Sequence, residues 1–259
     1  MYGNTVNALL DGDTAVVTGA ASGIGRATAL RFAEHGAAVV VADVRERPRE
    51  GGTTTVDRIR AATDAEAAFV ECDVTDRSAV ERAVEAAEAF GGVDIMVNNA
   101  GVLVQQPFLE TDEATFDRMM GVNVKGTFFG AQVAAARMVE RDGGTIINLS
   151  SVSGLEGSGG RVVYCASKGA VRLLTYALAD ALGPQGVRVN AIHPGAIETA
   201  QARDDSGVLG QDDYLERVPL GRFGTPGDVA DAALYLASDL SSYVNGESLV
   251  VDGGRFTSG

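Results

Sequence analysis

Seven short runs rich in apolar and β-branched residues are spaced along the chain: TAVVT (14–18), AAVVVAD (37–43), AAFVEC (67–72), VDIMVNN (93–99), TIINLS (145–150), VRVNAI (187–192) and ESLVV (247–251). The first six are almost continuously apolar, the pattern of strands covered on both faces rather than one. Helix-length segments lie between them. SAVERAVEAAEAF (78–90) keeps Val80, Ala83, Val84 and Ala87 on one stripe, with Glu81, Arg82 and Glu85 opposite. Residues 114–140 are long enough for one extended helix. In TPGDVADAALYLAS, Thr225, Pro226 and Asp228 stand where an N-cap, an N1 proline and an N3 acid belong. Strands alternating with helices over the whole length predict an α/β fold, a doubly wound parallel seven-stranded sheet flanked by helices. No linker, repeat or low-complexity tract divides the chain, so residues 1–259 read as a single domain. The least regular stretch, 196–224, is expected to be a substrate loop or lid.

Composition narrows the function classes. A net charge of −14 argues against a nucleic-acid or anionic-membrane surface. The N-terminus lacks a basic segment followed by an apolar one, and no apolar run is long enough to span a bilayer, so a cytoplasmic protein is expected. Cys72 and Cys165 lie far apart and in no metal-ligand spacing; they read as free thiols, and no metal site is expected. The acidity has two open readings. One is a soluble acidic protein from a GC-rich genome, in which arginine displaces lysine. The other is a halophilic source, with self-repulsion screened by salt. Either way only two lysines remain, Lys125 and Lys168.

The first apolar run leads into TGAASGIG, with Gly19, Gly23 and Gly25, and then into a helical pattern. Glycines there permit a tight turn and close backbone approach, and the helix N-terminus offers free N–H groups to a pyrophosphate. The second run ends in Asp43, near the spacing of an acid that binds the adenosine ribose. Such an acid accepts from the 2′-hydroxyl of NAD and repels the 2′-phosphate of NADP; Arg45 nearby softens that choice without reversing it. The fold is thus expected to be Rossmann-type, with NAD preferred over NADP.

The Gly-x3-Gly-x-Gly spacing, NNAG (98–101), the asparagine of GVNVKG, the serines ahead of YCASK (164–168) and HPG (193–195) together resemble the short-chain dehydrogenase/reductase family over essentially the whole chain. Tyr164 and Lys168, at i and i+4, share one helix face. A free tyrosine, with a pKa of about 10, is a poor base at neutral pH, and a neighbouring cation lowers that value. The resemblance implies hydride transfer between NAD(H) and an alcohol or carbonyl carbon, without a metal. It implies Tyr164 as general acid/base and Lys168 as its partner and holder of the nicotinamide ribose. It also implies Ser151 on the reacting oxygen and Asn123 holding a water that relays protons to the lysine. Further implied cofactor contacts are Ser22 and Ile24 in the turn, Asp73 and Val74 at the adenine, and Asn99, Ala100 and Gly101 on the adenosine side. Pro194, Gly195, Ile197 and Thr199 are implied near the nicotinamide. Ala200 departs from the proline that many relatives carry after that threonine.

The substrate is less legible. Leu103, Ser153 and Glu156 are candidate contacts, Glu156 as a hydroxyl partner. A secondary alcohol or ketone, a sugar, a cyclic alcohol or a steroid-like molecule all fit the resemblance. A 3-oxoacyl-carrier-protein reductase is an alternative, although such enzymes usually take NADPH; a catalytically silent NAD-sensing regulator is another, although such proteins typically lack the Tyr/Lys pair. The segments GTFFGAQVAAARM and GAVRLLTYALADALG are apolar around much of their circumference and need covering; the resemblance implies a homotetramer through them. His193 reads as a satisfied structural histidine, and Lys125 as solvated or held by a local carbonyl.

Overall fold

The computed structural model describes residues 8–203 and 212–257. Every apolar run becomes a strand: β1 (Thr14–Thr18), β2 (Ala38–Asp43), β3 (Ala67–Glu71), β4 (Ile95–Asn98), β5 (Gly144–Leu149), β6 (Val187–Pro194) and β7 (Ser248–Val251). They pair in parallel in the order β3-β2-β1-β4-β5-β6-β7. The helices are α1 (Gly23–Glu34), α2 (Thr55–Ala62), α3 (Arg77–Glu85), α4 (Glu113–Met120), α5 (Gly126–Met138), α6 (Val162–Leu182), α7 (Asp212–Leu215) and α8 (Pro226–Ala237). Among the described residues no helix is long and apolar enough to cross a membrane.

The period-2 alternation within each strand divides the interior into two layers. Ala15 and Val17 of β1 point into a core with Phe32 of α1, Ile59 of α2 and Val229 and Ala233 of α8. Val16 points the other way, into a core with Val80 and Val84 of α3 and Ala131, Ala134 and Met138 of α5. Fully burying a side chain such as Phe32 or Ile146 stabilises by about 1.5–3 kcal/mol. The predicted stripe Val80, Ala83, Val84 and Ala87 is buried throughout, although its last turn tightens to a 3₁₀ helix at Ala86–Phe90.

The stretch 114–140 departs from one regular helix. A π turn at Gly121–Lys125 separates α4 from α5. Asn123, fully buried, holds it: Oδ1 accepts from Val102 N at 2.8 Å, and Nδ2 donates to Val102 O at 3.0 Å and to Ser167 Oγ at 3.0 Å. The Thr127 hydroxyl donates to the Asn123 carbonyl at 2.8 Å. Single π turns of this kind are frequent at functional sites. α5 then passes so close to β4 that a Cβ on Gly130 would lie 1.9 Å from Asn98 Oδ1.

α8 starts as its sequence predicts. Thr225 Oγ1 accepts from Asp228 N at 3.3 Å and Asp228 Oδ2 accepts from Thr225 N at 2.6 Å, a full capping box with Pro226 at N1. Arg222 grips the same carboxylate through both nitrogens at 2.8 Å, which with the Thr225 amide holds Asp228 well below the usual carboxylate range. The 196–224 excursion is pinched at its neck by a bridge between Ile197 and Gly224. Residues 204–211 of it lie outside the described residues.

Candidate active site

Strand order reverses between β1 and β4, so the loops leaving their C-terminal ends diverge and leave a crevice. A cleft of about 460 Å³ opens there. The glycine turn forms one wall. Gly19 sits at φ +66°, and a Cβ on Gly25 would lie 2.3 Å from the Gly19 carbonyl, so the turn packs at backbone distance. Asn99 pins it to β4: Nδ2 donates to Thr18 O at 2.8 Å and Gly19 O at 3.2 Å. Asp43, at the tip of β2, is aimed by two backbone amides, Ala21 N at 3.0 Å and Arg45 N at 3.2 Å. Glu50 reaches back from the following loop to accept from Gly23 N at 3.4 Å, and Arg49 N donates to Ser22 Oγ at 2.7 Å. All the predicted cofactor contacts except Gly25 line the cleft; Gly25 acts on the turn itself. The residues present therefore fit a dinucleotide: an oriented carboxylate at one end, helix-terminal amides in the middle and a lysine at the other end.

At that end α6 presents Tyr164 and Lys168 one turn apart, with Lys168 Nζ 5.8 Å from the Tyr164 ring centre. Nζ donates to Leu149 O at 2.7 Å, and burial pushes the ammonium down to about 8. The Ser151 side chain lies beside the Tyr164 hydroxyl and acts to lower the phenol. Burial still outweighs that effect and the nearby Arg161 charge, so the phenol lies above the ordinary tyrosine value. In the chain alone desolvation is the larger effect, so the lowering expected from a neighbouring cation does not show at Tyr164. The two adjacent serines divide their tasks. Ser150 Oγ donates to the Lys168 carbonyl at 2.9 Å, anchoring α6, while Ser151 Oγ faces Tyr164. Asn123 does not line the cleft. Both its amide hydrogens are engaged by Val102 and Ser167, so its side chain braces the loop after β4 against α6.

Residues 19–255 match the family described as enoyl-(acyl carrier protein) reductase. A 2,5-dichloro-2,5-cyclohexadiene-1,4-diol dehydrogenase from Sphingobium indicum is 41% identical over 247 residues, 95% of this chain and 96% of that one. An NAD(P)+-linked L-rhamnose 1-dehydrogenase from Azotobacter vinelandii is 41% identical over 251 residues, 96% of this chain and 98% of that one. The crystal structure of a short-chain type dehydrogenase/reductase from Mycobacterium marinum superposes with a TM-score of 0.88 at 37% identity, over 96% of this chain and 97% of that one. The chain is a short-chain dehydrogenase/reductase.

Within this dehydrogenase/reductase, two predicted substrate contacts, Leu103 and Ser153, line the cleft. The third, Glu156, does not: its carboxylate is paired with Arg255, 99 residues further along the chain. That corrects its reading as a hydroxyl partner. Lys125 is held by a local carbonyl, Thr75 O at 2.9 Å. His193 is fully buried and satisfied at both nitrogens, by Ser151 O at 2.9 Å and Ser248 Oγ at 3.0 Å. Gln201 and Tyr214, from the stretch read as the substrate loop, line the cleft wall; sequence reasoning missed Arg118 and Arg161 there. Of these two only Arg161 carried a signal, since it stands three residues before Tyr164, at the N-cap of α6. Among the described residues no group of three His, Cys, Asp or Glu is placed to hold a metal ion.

Proposed function

We propose that this enzyme is an NAD-dependent dehydrogenase acting without a metal on a small sugar-like or cyclic secondary alcohol, or reducing the matching ketone. The observation that carries the reading is the convergence of Tyr164, Ser151 and Lys168 at one end of a cleft whose other end is Asp43. When bound, the dinucleotide supplies the hydride acceptor or donor. The chain supplies the rest. Tyr164 Oη takes or returns the hydroxyl proton, and Ser151 Oγ donates to the oxygen on which charge develops. Lys168 keeps its charge at neutral pH, with only one of its three donors used by Leu149 O. The other two serve a ribose hydroxyl and the field at the phenol. Asp43, fixed by Ala21 and Arg45, accepts from the adenosine ribose and disfavours a phosphate there. The diol and rhamnose relatives support a cyclic, hydroxylated substrate, and the rhamnose relative takes either dinucleotide, so the choice of NAD rests on Asp43.

The enzyme acts as a cytoplasmic homotetramer in this reading, with 196–224 as the lid. Exposed Phe128 on α5 and Leu173 on α6 support assembly through those helices. The test is a panel of sugars, cyclic alcohols and ketones with NAD and NADP. Tyr164→Phe is expected to lower kcat by roughly 10²–10⁴-fold while the dinucleotide Kd, read by fluorescence quenching, stays put. Higher kcat/KM with NADP, or a Tyr164→Phe loss below threefold, contradicts it.

A further inference from the structure

Charge around the cleft runs against the composition of the chain. The chain carries 21 Lys and Arg against 35 Asp and Glu. The cleft is lined by Arg45, Arg49, Arg118, Arg161 and Lys168, with only Asp43 and Asp73 opposing them. A cationic cleft in an acidic protein focuses anions. Arg45 and Arg49 lie in the loop after Asp43, at the adenosine end, and Lys168 is occupied as described above.

Arg161 stands apart. It caps the start of α6, one turn ahead of Tyr164, and its charge reaches the Tyr164 hydroxyl. It is half-buried, and among the described residues its guanidinium makes no hydrogen bond or ion pair. The cleft is also lined by the neutral Leu103, Ser153, Gln201 and Tyr214, and by Arg118 of α4. The acid expected there, Glu156, is turned onto Arg255. A partly desolvated guanidinium without a partner is unfavourable, and its planar fork matches a carboxylate.

We propose that Arg161 is a specificity-determining residue that binds a carboxylate carried by the substrate, so that the alcohol oxidised belongs to a hydroxy acid. The inference rests on the dehydrogenase reading and narrows it. Arg161 and Tyr164 line the same cleft and stand three residues apart in the chain. A hydroxy acid such as a 3-hydroxy acid or a sugar acid carries its carboxylate on the same small molecule as the alcohol, so both groups can be met from one wall.

The experiment compares five- and six-carbon sugar acids and 3-hydroxybutyrate, each with its neutral primary amide, in wild type, Arg161→Gln and Arg161→Lys. Turnover is followed by NADH absorbance. Binding is followed by calorimetry on Tyr164→Phe and on the Tyr164→Phe/Arg161→Gln double variant. A turned-over acid is expected to exceed its amide in kcat/KM, and Arg161→Gln to raise KM for the acid by roughly 10- to 100-fold while leaving the amide unchanged. Arg161→Lys should recover part of the loss. Equal use of acid and amide overturns the proposal. So does an equal loss for both with an upward shift of the pH profile, which would make Arg161 a tuner of Tyr164. If no compound turns over with either dinucleotide although the dinucleotide binds, the dehydrogenase reading fails. The calorimetric arm needs no turnover and decides the carboxylate question by itself: acid heats in Tyr164→Phe that vanish in the double variant support it, and no acid binding to Tyr164→Phe overturns it.

Discussion

The tautomer of His193 is fixed by its neighbours. A carbonyl only accepts, so Nδ1 carries the hydrogen donated to Ser151 O, and Nε2 accepts from the Ser248 hydroxyl. Ser248 Oγ in turn takes the Tyr176 hydroxyl at 2.8 Å, and the Tyr176 oxygen takes Arg172 Nε at 2.8 Å. The donors all point one way, from Arg172 to the carbonyl of the serine that faces Tyr164. Burial keeps the imidazole below the ordinary histidine pKa, and the Arg172 and Lys168 charges act in the same sense. His193→Ala is expected to lower kcat about 10- to 100-fold without moving the dinucleotide Kd. His193→Asn places an amide N–H near Nδ1 and should restore most of the rate; equal rates for the two variants, with thermal stability matched, would assign His193 to packing alone. The expectation of Ser151 over Ser150 came from the family resemblance, through the thirteen residues between Ser151 and Tyr164, and the Ser151 side chain lies beside Tyr164. The fate of Glu156 was not legible, because its partner comes from the far end of the chain.

Elements whose signals are local were read correctly. The Thr225–Asp228 box is an example: every group it needs lies within four residues. Thr225→Ala is expected to cost about 1 kcal/mol in urea unfolding. The other end of α8 depends on a distant residue. Arg188, on β6, donates through Nη2 to Leu236 O at 2.9 Å and Thr145 Oγ1 at 2.8 Å, and through Nη1 to Ser241 Oγ at 3.0 Å and Val244 O at 3.3 Å. Arg188→Met removes four hydrogen bonds at once, although Leu236 O keeps Ser241 Oγ and Val244 O keeps Asn190 Nδ2, and should cost about 2–4 kcal/mol; a loss smaller than that of Thr225→Ala would mean that water replaces the guanidinium. No sequence pattern announced this clamp, nor the π turn, because both arise from side chains that meet only after the sheet has formed.

Across the whole molecule, the surplus of acids reaches one half-buried site. Asp13 is raised to about 6, first by burial and then by Asp94, Asp239 and Asp11. A carboxylate with a raised folded pKa costs nothing below about 4, where it is protonated folded and unfolded alike; stability is lost as pH rises towards 6, and the penalty is constant above that. Asp13→Asn should therefore raise Tm at pH 8 and leave it unchanged near pH 4; a rise of equal size at both would trace to packing. The net charge of −14 also predicts that Tm climbs between 0.1 and 1 M NaCl as repulsion is screened, and a flat response would remove the halophilic reading. The sheet was legible because strand signals repeat seven times. The apolar excess of α5 and α6 was legible in the sequence, but what covers it was not, since a covering surface leaves no periodicity of its own.

The π turn at Gly121–Lys125 has a consequence for how the chain tolerates changes in length. It carries one residue more than a regular helix would use over the same rise. Removing one residue there would let α4 and α5 join as a regular helix that is better formed by its own criteria, yet the wide turn that aims Asn123 would be gone. Asn123 would leave Val102 and Ser167, so the brace between the loop after β4 and α6 would fail. A deletion here would improve the helix and cost the site its support.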